Sequence, residues 1–164
     1  MILDGLDNVS DLTARNDNST LLYLGLFTKA RCNLKCIYCY EDCSDVKAYE
    51  SVPFRYKNSI IRQAAKGGAK SLVIPGAGEP FLDKDLRRIV SNAADCGLKI
   101  VIYTNGTCLN KTVLSWLRDT SVSLVVKLES LDSRIHDHLT EVKGSFSMVS
   151  RNLGKLLDAG FNPK

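Results

Sequence analysis

The sequence predicts an α/β fold built on a parallel sheet, and three observations lead to it. Short runs rich in Val, Ile and Leu alternate with segments of helical period four times along the chain. Those runs are almost continuously apolar, as strands are when helices cover both faces of a parallel sheet. Glycine, proline and polar residues gather directly after each run, at the end where a strand would hand over to its helix. Crossovers in such sheets are right-handed, which leaves a wound sheet or a barrel. In both, sites collect beyond the carboxyl ends of the strands.

Each element follows from its residues. Residues 1–20 set a few leucines among many Asp, Asn, Ser and Thr, and are expected to form a partly flexible leader before a core over 21–164. The apolar run 21–27 is the first strand, and a loop with three cysteines follows it. Pro53 suits the start of a helix that turns Ile60, Ile61, Ala64 and Ala65 inward and stops at Gly67 and Gly68. Residues 71–74 form the second strand, followed by a helix from about Asp83 with Leu86, Ile89, Val90, Ala93 and Ala94 inward and Gly97 as its stop. Residues 99–103 form the third strand, and Asn110 caps a helix that buries Val113, Leu114 and Leu117. Residues 123–128 form the fourth. A connection containing His136 and His138 then leads to a helix over 145–159 with Val149, Leu153, Leu156 and Leu157 inward and Gly160 as its cap.

Composition narrows the class. The 164 residues suit one domain with a substantial core, 45% apolar and 24% charged. The net charge of +4 is spread along the chain, which gives no nucleic-acid groove. No apolar run reaches the ~20 residues of a membrane span, and no basic-then-apolar leader opens the chain, so a cytoplasmic location is expected. Thiols stay reduced there, and the six cysteines then point to metal ligation or packing.

The chemistry-bearing residues lie in the four strand-end loops. Cys32, Cys36 and Cys39 form a C-x3-C-x2-C set. Three thiolates can hold three irons of a cubane cluster and leave the fourth open to a chelating ligand. The competing readings are packing or a zinc site, which Cys43 could close. In the second loop, Gly76, Ala77 and Gly78 let backbone approach a ligand, with carbonyls able to accept from an ammonium and Glu79 adding negative charge if it points inward. The plain alternative is an ordinary strand-to-helix turn. Thr104 and Asn105, before Gly106, offer a hydroxyl and an amide to a sugar or carboxylate, or simply make a turn. Lys127 and Glu129 share one face of the fourth strand, with Lys127 toward the sheet's interior side, and need partners or pair with each other. Cys96 is expected to pack, Cys108 to pack or line the site, and both histidines to lie at the surface.

Taken in this order, the three-cysteine loop with Tyr38 before its last cysteine, Ala77-Gly78-Glu79-Pro80, Thr104-Asn105-Gly106 and Leu128-Glu129-Ser130-Leu131-Asp132 resemble the radical S-adenosylmethionine (radical SAM) superfamily. The resemblance spans about residues 20–162 and is nearest in motif style to the molybdenum-cofactor-cyclase and peptide-maturase branches. It implies the first four units of a partial (β/α)6 TIM-like barrel. The chain reaches Pro163 and Lys164 where a fifth strand is expected, which implies a C-terminally truncated core with an open sheet edge liable to self-association. It further implies a [4Fe–4S] cluster on Cys32, Cys36 and Cys39, which would be catalytic through the cluster, with SAM chelating the open iron. Tyr38 would lie against the adenine, Gly76 to Glu79 at the ammonium, and Thr104 and the position of Lys127 near the ribose or carboxylate. Lys127 stands where those branches often carry a small polar residue. The implied reaction is reductive cleavage of SAM to methionine and a 5′-deoxyadenosyl radical that takes hydrogen from a substrate, small molecule or peptide. A one-electron donor of flavodoxin or ferredoxin type would serve it. The other reading is an iron–sulfur binding or electron-transfer module, or a fragment without catalysis of its own.

Overall fold

The computed structural model describes residues 21–28, 31–40, 52–161 and 163; the leader expected over 1–20, the polar stretch 42–51 and Cys43 lie outside them. The elements are β1 (Tyr23–Gly25), α1 (Phe54–Lys66), β2 (Ser71–Ile74), a 3₁₀ turn (Pro80–Leu82), α2 (Leu86–Asp95), β3 (Lys99–Thr104), α3 (Lys111–Arg118), β4 (Val122–Val126), α4 (Ser133–Thr140) and α5 (Ser145–Asp158). The four strands pair in sequence order, β1-β2-β3-β4, and every pair is parallel. The expected α/β class is therefore the observed one, and all four strand-end loops leave the same edge.

Register explains where the core sits. Leu24, Leu72, Ile100 and Val122 form one cross-sheet row, and Ile74, Ile102 and Leu124 the next. In a pleated sheet these rows share a face, and that face packs against Ile61 and Ala64 of α1, Ile89, Val90 and Ala93 of α2, Leu114 and Leu117 of α3, and Leu156 of α5. The opposite face carries Val73, Val101, Ser123 and Val125; Val101 is buried and the others only half so. Burial on both faces was expected from the apolar runs. It is more nearly complete on the face the helices cover. Among the described residues no helix is long and apolar enough to cross a membrane.

Several boundaries and faces differ from expectation. The first strand pairs over three residues rather than seven. In α1 the inward stripe is Lys57, Ile61 and Ala64, at i, i+4 and i+7, which leaves Ile60 43% exposed. Ala94 is exposed, and Leu157 is 60% exposed because α5 turns Val149, Asn152 and Leu156 inward. The connection around the histidines is itself a helix, α4, capped by Asp132, whose carboxylate accepts from Arg134 N–H. Asn110 caps α3 as expected, accepting from Val113 N–H at 3.0 Å.

A buried ion pair joins α1 to the segment after β2. Lys57 Nζ meets Asp83 Oδ2 at 2.9 Å with side chains 2% and 3% exposed. The other Asp83 oxygen accepts from Asp85 N–H at 2.9 Å. Charges this deep persist only when paired and hydrogen-bonded.

Candidate functional site

The cysteine loop follows β1 and is held from two sides. Lys35 N–H donates to Thr140 O and Ile37 N–H to Leu139 O, both at 3.0 Å, so the free carbonyls at the end of α4 carry its middle. On the other side the β2 loop meets it, with Glu79 N–H donating to Arg31 O at 2.8 Å. Gly78 lies so close that a Cβ there would sit 2.6 Å from Arg31 O, and its φ of +85° is one that side chains resist. Glycine at 78 is thus a condition for the second loop to touch the first.

Cys32, Cys36 and Cys39 are free thiols, the first two partly buried and Cys39 exposed. Cys32 Sγ faces two donors, Leu34 N–H at 3.4 Å and Asn105 Nδ2 at 3.6 Å. Burial raises the Cys32 thiol above its ordinary range, and the Glu79 carboxylate adds to that, while the two donors oppose it. Among the described residues no three His, Cys, Asp or Glu side chains converge on a point where a single metal ion could sit. A cubane gives each cysteine its own iron and needs no such convergence.

Glu79 points inward and is 1% exposed. Its Oε1 accepts from Phe81 N–H at 3.1 Å and Thr104 Oγ1 at 2.8 Å, and its Oε2 from Asn105 N–H at 2.8 Å. No positive side chain pairs with it among the described residues. Three donors leave the carboxylate one acceptor position short of four. Burial raises its pKa, and the three donors pull it back down. The Thr104 hydroxyl, expected to reach a ligand, is spent on Glu79 and lies buried. Asn105 turns its side chain to the cysteine loop, 3.0 Å from Asn33 Oδ1.

Lys127 and Glu129 lie beyond β4 rather than within it, although Lys127 N–H continues the ladder to Thr104 O at 2.9 Å. The Lys127 side chain is 59% exposed, not turned to the sheet interior. Keeping the ammonium near water avoids the cost of burying it. It stands 4.2 Å over the Tyr38 ring and 3.4 Å from Glu129 Oε1, which also accepts from the Tyr38 hydroxyl. The two charges do pair with each other, and with Tyr38 they close the cysteine loop onto the β4 end.

Three supporting residues, Asn33, Thr107 and Asn152, were not singled out in the sequence, and a fourth, His136, was expected elsewhere. Asn33 and Thr107 hydrogen-bond each other at 2.7 Å beside Cys32. Asn152, 6% exposed on α5, donates to the carbonyls of Gly106 and Thr107 at 2.9 and 3.0 Å. His136 is 1% exposed, against the surface expected for it, and its Nδ1 accepts from Glu129 N–H at 3.3 Å. A polar residue at an inward helical position was the available signal for Asn152 and His136. Cys96 packs against the core as expected. Cys108 is half-buried, 3.7 Å from Thr107 Oγ1, and burial raises its thiol.

Comparison with known proteins agrees with this arrangement. The family model of the radical SAM superfamily matches residues 27–163. Fe-coproporphyrin III synthase of Methanosarcina barkeri is 30% identical over 131 residues, 79% of this chain and 32% of that protein. A probable GTP 3′,8-cyclase of Methanococcus maripaludis is 30% identical over 135 residues, 81% of this chain and 44% of that protein. The chain therefore spans less than half the length of these curated relatives. The structure of SuiB from Streptococcus suis superposes with a TM-score of 0.77 at 25% identity, over 94% of this chain and 35% of that one. SuiB has also been solved with S-adenosylmethionine and with its precursor peptide SuiA. The expected membership thus holds, and the expected TIM-like barrel units agree with the fold of such neighbours. By motif order, fold and family match, the chain belongs to the radical SAM superfamily.

Proposed function

We propose that this chain is the part of a radical SAM enzyme that holds a [4Fe–4S] cluster on Cys32, Cys36 and Cys39 with SAM beside it. The observation that carries the reading is Glu79: a buried carboxylate that pairs with no cation among the described residues, set against the cysteine loop by Gly78. An ammonium from a ligand would supply the missing charge, since a lone buried charge is otherwise costly. The donor set fits the cluster as well. Three free thiols lie in one loop, and Cys32 Sγ already faces two N–H donors suited to a thiolate.

A cluster held by these cysteines would, when bound, supply the one-electron chemistry for reductive cleavage of SAM beside it. The chain's own residues bind and orient. Glu79 accepts the ammonium, helped by carbonyls at Gly76, Ala77 and Gly78. Thr104 acts through Glu79, holding its Oε1 in place. Tyr38 offers its ring to the adenine, and Lys127, beside that ring, offers positive charge to the SAM carboxylate. Glu129 orients both Tyr38 and Lys127. Partners on this reading are a flavodoxin- or ferredoxin-type donor and a small-molecule or peptide substrate, in a reducing compartment such as the cytoplasm.

Anaerobic reconstitution with iron and sulfide tests this. About four irons per chain are expected, with 5′-deoxyadenosine formed on adding dithionite and SAM. Iron without deoxyadenosine would support an iron–sulfur binding or electron-transfer module. A colourless, zinc-bound protein unaffected by Cys32→Ala would contradict both.

A further inference from the structure

Asn105 touches both halves of the site. Its backbone N–H donates to Glu79 Oε2 at 2.8 Å, and its side-chain Nδ2 lies 3.6 Å from Cys32 Sγ. Which end of that amide faces the sulfur is decided by its neighbours. Asn105 Oδ1 receives Thr107 N–H at 2.9 Å and the Thr107 hydroxyl at 2.6 Å, two donors that a carbonyl oxygen can take and an NH₂ cannot. The Thr107 oxygen in turn accepts from Asn33 Nδ2 at 2.7 Å, and Asn33 Oδ1 accepts from Asn105 Nδ2 at 3.0 Å. The three side chains form a closed ring of hydrogen bonds, so the amide cannot flip without breaking several at once. One Nδ2 hydrogen is spent on Asn33. The other is left for the sulfur of Cys32.

The loop carrying this ring is fixed from behind. Asn152 holds the carbonyls of Gly106 and Thr107. Gly106, at φ +74°, lies where a Cβ would come within 2.8 Å of Val126, so the turn is seated on β4. With Leu34 N–H at 3.4 Å, Asn105 gives the Cys32 sulfur two N–H donors. Donors to a ligating sulfur draw electron density from the metal and favour the reduced cluster.

We propose that Asn105 is a positioning residue that raises the reduction potential of the cluster through an N–H···S bond to Cys32, held in orientation by Asn33 and Thr107. The inference rests on the cluster-binding reading above. It also makes one residue the rigid link between the sulfur of Cys32 and the carboxylate of Glu79.

The test is an EPR-monitored redox titration of the anaerobically reconstituted chain and three variants. Asn105→Leu keeps the backbone donor to Glu79 and removes the side-chain donor. Its cluster is expected to be about tenfold harder to reduce, about 59 mV more negative for a one-electron couple. Thr107→Val breaks the ring but leaves its N–H on Oδ1, so a smaller shift in the same direction is expected. Thr107→Ser keeps the hydroxyl and should match the unaltered chain. Variant clusters that titrate at the unaltered potential, even with less iron bound, would reduce the ring to a structural brace and overturn the proposal. If Asn105→Leu takes up no cluster, the Thr107 pair decides by the same criterion. An unaltered chain that takes up no cluster would instead overturn the reading beneath it.

Discussion

Glu79 is the residue at which the cost of the site is most visible. Its raised pKa means that the folded chain holds the Glu79 proton more tightly than the unfolded chain does, so ionising it opposes folding. The opposition grows as pH rises from the unfolded carboxylate value of 4.5 through the raised folded one. Thermal denaturation without ligand is therefore expected to show stability falling through that window. SAM should cancel the loss, because an ammonium at Glu79 favours the ionised form. Its affinity should accordingly fall as pH drops through the same window. Glu79→Gln removes a charge-assisted contact worth about 1.5–3 kcal/mol, so SAM binding measured by calorimetry should weaken roughly tenfold to a hundredfold. Gly78→Ala should act differently, by pushing the second loop off Arg31, and should lower iron uptake as well as SAM binding. Cysteine spacing and the Gly-Ala-Gly-Glu-Pro run were legible in the chain because covalent neighbours build them. The coupling of Asn33 to Thr107 was not, since 74 residues separate them and only the folded sheet edge joins them.

Among the elements, α4 shows what periodicity misses. Its eight residues, Ser133–Thr140, bury only His136 and Thr140, so too little apolar signal existed to mark a helix. Yet its final carbonyls carry the cysteine loop, and His136 carries Glu129. Asp137 closes the turn into α5, accepting from Phe146 N–H at 2.9 Å and Ser145 Oγ at 3.0 Å. The Phe146 N–H, with help from Gly144, holds its carboxyl below the ordinary carboxylate range. The stability it contributes is present above the unfolded value of 3.8 and lost as pH falls through the folded one. Asp137→Asn should shrink that acid-side loss in a pH series of melting curves. α1 teaches the opposite lesson: Lys57 occupies an inward helical position that residue type alone argues against. Lys57→Met leaves Asp83 buried without its cation and should destabilise the chain by about 3–5 kcal/mol in denaturant titration. Adding Asp83→Leu should recover much of that loss.

For the whole molecule, the parallel α/β sheet was readable because each apolar run fed a helix. The sequential strand order was not, since the residues alone left a wound sheet or a barrel and only the family resemblance implied barrel units. The parallel sheet alone placed four loops on one edge before any side chain was positioned. Where Lys127 points was not readable in the same way. A period-two pattern sent it inward, and the end of β4 one residue earlier released it to water and the Tyr38 ring. Loops, ion pair and hydrogen-bond ring now meet at one place, where three thiols stand beside a carboxylate that pairs with no cation among the described residues. The direct test of that meeting is the EPR spectrum of the reduced, reconstituted chain recorded with and without SAM. A cubane-type signal that changes on adding SAM, needs roughly tenfold to a hundredfold more SAM to change in Glu79→Gln, and disappears in Cys32→Ala is the predicted result. A signal indifferent to SAM, or one that survives Cys32→Ala, would contradict the account.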